Sequence, residues 1–121
     1  MKVALFGKTI FANDVPYLQE FIDRLGSPDD SVFLYEPFFN AIHEKIRFNR
    51  QPMTFLTQQE IKGRVEYLFS LGGDGTLLDA IPLVGDSGIP VIGINMGKLG
   101  FLSGISKKEI LPALEEIIGK R

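Results

Sequence analysis

Val65-Glu66-Tyr67-Leu68-Phe69-Ser70-Leu71 runs into Gly72-Gly73-Asp74-Gly75, and that into Thr76-Leu77-Leu78-Asp79-Ala80-Ile81-Pro82-Leu83-Val84. The first part is a short apolar run of strand length. The glycines end it, and the pattern then turns helical. The spacing predicts a strand over 65–71, a break at 72–75 and a helix over 76–84. Downstream, the turn Asp86-Ser87-Gly88 leads to a second apolar strand, Pro90-Val91-Ile92-Gly93-Ile94. A glycine-rich stretch, Gly97 to Gly104, follows. A helix is expected over 107–118, with Ile110, Leu111, Leu114, Ile117 and Ile118 on one face and Pro112 early in it.

Upstream the same alternation appears. Val3 to Phe6 reads as a strand that ends at Gly7. Asn13 or Asp14 can cap the next segment, with Pro16 in its first turn. Leu18, Phe21, Ile22 and Leu25 then fall on one helical face, and Gly26 stops it. Val32 to Tyr35 reads as a strand, and Pro37 opens a helix with Phe38, Ile42, Ile46 and Phe48 on one stripe. The stretch 49–63 is the least regular, with a short strand at Thr54 to Leu56. Strands alternating with helices give an α/β fold. The expected form is an open, mostly parallel sheet with helices on both faces, a three-layer arrangement of the Rossmann or flavodoxin kind. Ligands in such sheets bind at the carboxyl ends of the strands. Both glycine-rich stretches follow strands directly.

Composition sets the outer limits. The chain has 121 residues, which is one domain by length. Its 10 Phe and 3 Tyr supply a core, so general disorder is excluded. No uncharged apolar run approaches the ~18 residues of a membrane span. Thirteen basic residues face 15 acidic ones with no basic block, which argues against nucleic-acid binding. Cysteine is absent, so no disulfide frame, thiolate zinc site or cysteine nucleophile exists. The N-terminus is too short and strand-like for a signal peptide, and a cytoplasmic protein is expected.

The chemistry concentrates in Gly72-Gly73-Asp74-Gly75-Thr76. Glycine lets a phosphate approach the backbone without meeting a Cβ. The following helix offers N–H groups and the positive end of its dipole. Thr76 can cap that helix or bond a phosphate oxygen. Asp74 does not suit a simple anion site, because a carboxylate repels phosphates. It can accept a proton from a hydroxyl, hold a metal or cap the helix; a tight turn with a capping aspartate is the plain structural alternative. The loop is neither a Gly-x-x-x-x-Gly-Lys-Ser/Thr nor a Gly-x-Gly-x-x-Gly phosphate loop.

The string Gly72-Gly73-Asp74-Gly75-Thr76 resembles the signature of the NAD kinase, diacylglycerol kinase and phosphofructokinase superfamily. A second string, Asn95-Met96-Gly97-Lys98-Leu99-Gly100-Phe101-Leu102, resembles the Asn-x-Gly-x-Leu-Gly-Phe-Leu signature of NAD kinases in particular. The resemblance implies an N-terminal nucleotide-binding domain spanning 1–121, without the β-rich C-terminal domain of the family. It implies transfer of the ATP γ-phosphoryl to the 2′-hydroxyl of the adenosine ribose of NAD, giving NADP. The chain by itself is expected to be inactive.

Matched residue by residue, the resemblance implies that Asp74 contacts the ribose and accepts the proton of its 2′-hydroxyl. Gly75, Leu78 and Phe101 would line the NAD pocket. Gly72, Gly73, Gly75, Thr76 and Asn95 would serve the nucleotide phosphates, with Gly97 shaping the loop beneath. A core ring is the structural alternative for Phe101, and a loop-locking amide for Asn95. Many relatives carry a basic residue five places after the motif aspartate; here it is Asp79, read as a solvated helix residue. Lys8 could approach a phosphate but is read as solvated, and His43 as a surface residue. No built-in metal site is expected: Mg²⁺ or another divalent cation would arrive with ATP. The expected partners are NAD and ATP (or polyphosphate), with no membrane, and the full-length protein is expected to be a homo-oligomer. The alternative is the nucleotide domain of a lipid kinase of the diacylglycerol or sphingosine type, against which Leu99-Gly100-Phe101-Leu102 and the lack of a basic patch argue.

Overall fold

The computed structural model describes residues 1–96 and 105–106. Strand β1 is Lys2–Gly7, followed by a 3-10 turn at Ala12–Asp14 and helix α1 at Val15–Arg24. Strand β2 is Ser31–Tyr35, α2 is Glu36–Ile42, β3 is Met53–Phe55 and α3 is Gln58–Ile61. Strand β4 is Tyr67–Gly72, α4 is Asp74–Val84, β5 is Val91–Asn95 and β6 is Ile105–Ser106. The six strands form one sheet in the order β3-β2-β1-β4-β5-β6. Every pairing is parallel, so the expected mostly parallel sheet is wholly parallel among the described strands.

Side-chain alternation explains why the strands read as unbroken apolar runs: both faces are covered. Val3 and Leu5 of β1 face α1 and α2, where they meet Leu18, Phe21, Ile22, Phe38 and Ile42. Ala4 and Phe6 face α3 and α4, where they meet Ile61, Ala80 and Val84. Phe21 and Phe69 meet edge to face at 5.1 Å between centroids, an arrangement that ring quadrupoles favour. The helices thus lie on both faces, as the alternating pattern requires.

The strand ends shift by one or two residues, β4 starting at Tyr67 rather than Val65 and β3 being Met53–Phe55 rather than Thr54 to Leu56, and four further differences stand out. Helix α2 ends at Ile42; Lys45 and Ile46 both donate to the Ile42 carbonyl, and Ile46 is buried from a turn rather than from the helix. The irregular stretch contains α3, started by Thr57 and Glu60 acting as a capping box. Helix α4 begins at Asp74, two residues before Thr76, with Gly73 at the cap position. Strand β6 pairs Ile105 with Ile94 and Ser106 with Asn95, where no strand was expected. The stretch 97–104 and the helix expected over 107–118 otherwise lie outside the described residues.

At the amino end of the sheet, the Met1 ammonium donates to Asp30 at 2.7 Å, with Met1 buried. Arg50 donates to the carbonyls of Ser27 and Asp30. These bonds tie the N-terminus to the neighbouring loops, where a hollow of about 320 Å³ lies among Leu25, Val32, Phe48 and Met53. The opposite end, where β1 and β4 stop, carries the glycine loop.

Candidate functional site at the carboxyl ends of β1 and β4

Strand order reverses between β1 and β4. From β1 the chain moves outward through β2 to β3, then returns to place β4 on the other side of β1. Loops leaving two such strands diverge to opposite faces, and the crevice between them is the usual ligand site of an open α/β sheet. Here a cleft of about 260 Å³ occupies that place. After β1 it is lined by Lys8, Thr9, Phe11 and Asp14; after β4 by Gly72, Gly73 and Thr76; and at the end of β5 by Asn95 and Met96.

The glycine loop has a local logic. Gly73 is extended, with φ −110° and ψ −161°, and its carbonyl accepts the first helical bond, from Leu77 N–H at 3.1 Å. Thr76 packs against the loop: a Cβ on Gly72 would lie 2.6 Å from Thr76 Oγ1. A Cβ on Gly73 or Gly75 would meet nothing within 4 Å. Gly73 lines the crevice and Gly75 faces open space on the first turn, neither under steric demand from the fold. The N-terminus of an 11-residue helix favours negative charge there. The loop is held to its neighbour by Met96 N–H donating to Gly72 C=O at 3.1 Å.

Of the residues read from the sequence, Gly72, Gly73, Thr76 and Asn95 line this cleft together. Asn95 is buried and ends β5, in register with Gly72 of β4. Thr76 does not cap α4, because the helix has already begun; its hydroxyl sits over Gly72 instead. Asp74 is likewise not the cap but the first helical residue and is half-buried; neither it nor Gly75 nor Leu78 is among the residues that line the cleft. Gly75 is exposed on the first turn. Leu78 stands one turn beyond Asp74, on the same side of α4, and is 54% exposed. Phe101 and Gly97 lie outside the described residues.

The structure adds residues that local pattern did not mark. Asp14, read only as a helix cap, is 3% exposed and lines the cleft from the start of α1, with no capping bond from its side chain. Phe11 is 75% exposed at the rim. One signal was available for both: in a parallel sheet the segment after the first strand must emerge at the carboxyl edge. Lys8 and Asp79 are not independently solvated. They form an ion pair between the loop after β1 and α4. His43 is exposed and stacks on Phe39, with centroids 5.5 Å apart. Among the described residues no three His, Cys, Asp or Glu side chains gather to hold a metal ion, and no helix is long and apolar enough to cross a membrane.

Strand order and glycine loop together define a doubly wound α/β domain with a glycine-lined crevice at its switch point. Comparison with known proteins narrows this. The family model described as the ATP-NAD kinase N-terminal domain matches residues 35–121. The NAD kinase of Christiangramia forsetii is 32% identical over 121 residues, which is all of this chain and 41% of that protein. The NAD kinase of Flavobacterium johnsoniae is 32% identical over 120 residues, with 99% of this chain and 41% of the relative covered. In the solved structures, yeast NADH kinase complexed with NADH matches with a TM-score of 0.79 and 27% identity, covering 100% of this chain and 38% of that one. The chain belongs to the ATP-NAD kinase N-terminal domain family. It spans about two fifths of the length of the curated relatives it matches.

Proposed function

We propose that this domain forms one wall of the active site of an NAD kinase, which transfers the γ-phosphoryl of ATP to the 2′-hydroxyl of the adenosine ribose of NAD. The observation that carries this reading is the glycine loop at the switch point: Gly72, Gly73, Thr76 and Asn95 line one crevice. Asp74 is the first residue of α4 in that loop, between two glycines with open space beside them. Family membership supports the reaction class, and the NADH held by the yeast kinase supports the kind of acceptor. The lipid-kinase alternative finds no support in these comparisons.

In this reading Asp74 takes or polarises the proton of the attacking hydroxyl. A general base must lie within hydrogen-bond reach of that proton, and a position on the first turn of a rigid helix fixes it. Gly72, Gly73, Gly75 and Thr76 present backbone and hydroxyl donors to phosphate oxygens, with Asn95 bracing the loop from β5. Leu78, one turn from Asp74, and Phe101 flank the NAD. ATP enters as its magnesium complex, so the cation arrives with the substrate. Catalysis is then mostly alignment and charge stabilisation, as in phosphoryl transfer generally. The working protein is a cytoplasmic homo-oligomer in this reading.

The test is an assay of the full-length protein for NADP formation from ATP and NAD, with diacylglycerol and sphingosine as competing acceptors. Phosphorylation of NAD alone supports the proposal. Phosphorylation of either lipid in preference to NAD overturns it.

A further inference from the structure

The Lys8 ammonium pairs with the Asp79 carboxylate across the gap between the end of β1 and the second turn of α4. Each side chain is 55% exposed. A pair this open to water contributes little to stability, so its position asks for another explanation.

The pair stands on a boundary. On one side is the glycine-loop cleft; on the other a broader groove of about 650 Å³ walled by Phe6, Tyr35, Pro37 and Leu83. Lys8 lines both. On α4, Thr76 lines the first hollow, and Asp79 and Leu83 line the second. Their spacing of three and seven puts them on one helical face. The two hollows are therefore one run along α4, divided by the ion pair. Among the described residues lining the glycine-loop cleft, Lys8 is the one cation, while Asp14 lines it as a carboxylate.

We propose that Lys8 is the phosphate-binding cation of this site and that Asp79 is its resting counter-ion, displaced when a phosphoanhydride enters. The anion chemistry stands on the geometry; the identity of the substrates rests on the kinase reading above. Lysine is suited to the role, because its charge sits on a flexible stem and can swing between partners. A polyphosphate chain carries more negative charge than one carboxylate, and its oxygens accept charge-assisted bonds from an ammonium as a carboxylate does. Asp79 keeps the ammonium at the crevice mouth before binding, and by competing with phosphate it also lowers affinity and eases release.

The two partners are thus not equivalent, which a purely structural pair would require. Binding of inorganic tripolyphosphate to the full-length protein is measured by calorimetry. Lys8→Met is expected to weaken it about tenfold, Lys8→Arg to retain it within about threefold, and Asp79→Asn to tighten it about two- to fivefold. Equal weakening by Lys8→Met and Asp79→Asn, or no change for Lys8→Met, overturns the proposal. Circular dichroism confirms that each variant is folded. Steady-state kinetics then separate the two sources of phosphoanhydride: a raised KM for ATP assigns Lys8 to the donor, a raised KM for NAD to the acceptor, and no rise in either counts against it. A wild-type protein that binds tripolyphosphate through Lys8 but makes no NADP would sink the kinase reading alone.

Discussion

Helix α4 carries an aspartate among glycines at each end. Gly72-Gly73-Asp74-Gly75 precedes or opens it, and Gly85-Asp86-Ser87-Gly88 follows it. The compositions are nearly the same and the physical roles are not. After the helix the glycines serve the chain. Gly85 has φ +50° and Gly88 φ +84°, values that other residues rarely adopt. A Cβ on Gly85 would also sit 2.8 Å from the Gln58 amide nitrogen, which donates to the Val84 carbonyl. Ser87 Oγ accepts from Ile89 N–H at 3.2 Å and steers the chain into β5. In the leading loop none of Gly72, Gly73 and Gly75 has a positive φ. Gly72 makes room for Thr76, while Gly73 and Gly75 make room for nothing in the protein. Neither backbone angle nor packing demands glycine at 73 or 75, and in the proposed kinase that space is a substrate's.

The largest effect should separate the two aspartates. Asp74→Asn in the full-length protein should lower turnover by ~10²–10⁴-fold, the usual cost of losing a general base. Asp86→Asn should leave turnover within twofold, since Asp86 is an exposed turn residue at the far end of the helix. Steady-state rates of NADP formation check both, and similar losses would erase the distinction between the ends.

Next come the glycines themselves. Gly85→Ala should destabilise the fold by ~1–3 kcal/mol, from an alanine forced to φ +50° and ψ −125°, a sparsely populated region that glycine tolerates, with the Gln58 contact adding to it. Activity per folded molecule should survive. Denaturant unfolding measures the first and kinetics the second. Gly75→Ala should do the reverse: stability should hold or rise by ~0.4–1 kcal/mol, because alanine suits a helix and restricts the unfolded chain, while KM for the phosphate-bearing substrates rises. A Gly75→Ala protein that unfolds more easily yet works normally would make this loop an ordinary turn.

The smallest effect sharpens the comparison from the side of α3, which buttresses the trailing end of α4 through Gln58. Hydrogen bonding from Leu56 N–H, joined by the N–H and hydroxyl of Thr57 and the charge of Arg64, holds the Glu60 carboxyl below the ordinary glutamate range against a weaker opposing effect of desolvation. A depressed acid lends its stability at pH above the ordinary glutamate value and loses it as pH falls through the lowered one. Amide protection factors at residues 58–62 and 84–88, corrected for the intrinsic pH dependence of exchange, should therefore fall on acidification before those at 72–77 do. Glu60→Gln should remove that pH dependence.

Much of this fold was legible because its signals are local. The Leu18, Phe21, Ile22 and Leu25 stripe marks α1 correctly, since burial on one face forces helical spacing. The strands β1, β2, β4 and β5 show as apolar runs because helices cover both faces of the sheet. The short α3 escaped notice although Thr57-Gln58-Gln59-Glu60 is a capping-box pattern, because four residues give too few repeats for periodicity to register. Helix α4 starts two residues before Thr76: a threonine hydroxyl can serve as a cap, but Gly73 in extended backbone already supplies the first helical acceptor.

The site divides the same way. The sequence by itself determined that a glycine loop bearing Asp74 lies between a strand and a helix, and in a parallel sheet that places it at the carboxyl edge. It also placed Asn95 at the end of the next strand. Only the tertiary structure decided that β4 lies beside β1 rather than beside β3, because strand order depends on which apolar faces pack together and not on any local pattern. That decision brings Lys8 to Asp79 and buries Asp14 beside Gly72. Residues so far apart along the chain leave no spacing in the sequence, and their meeting is fixed by the packing of helices on the two faces of the sheet.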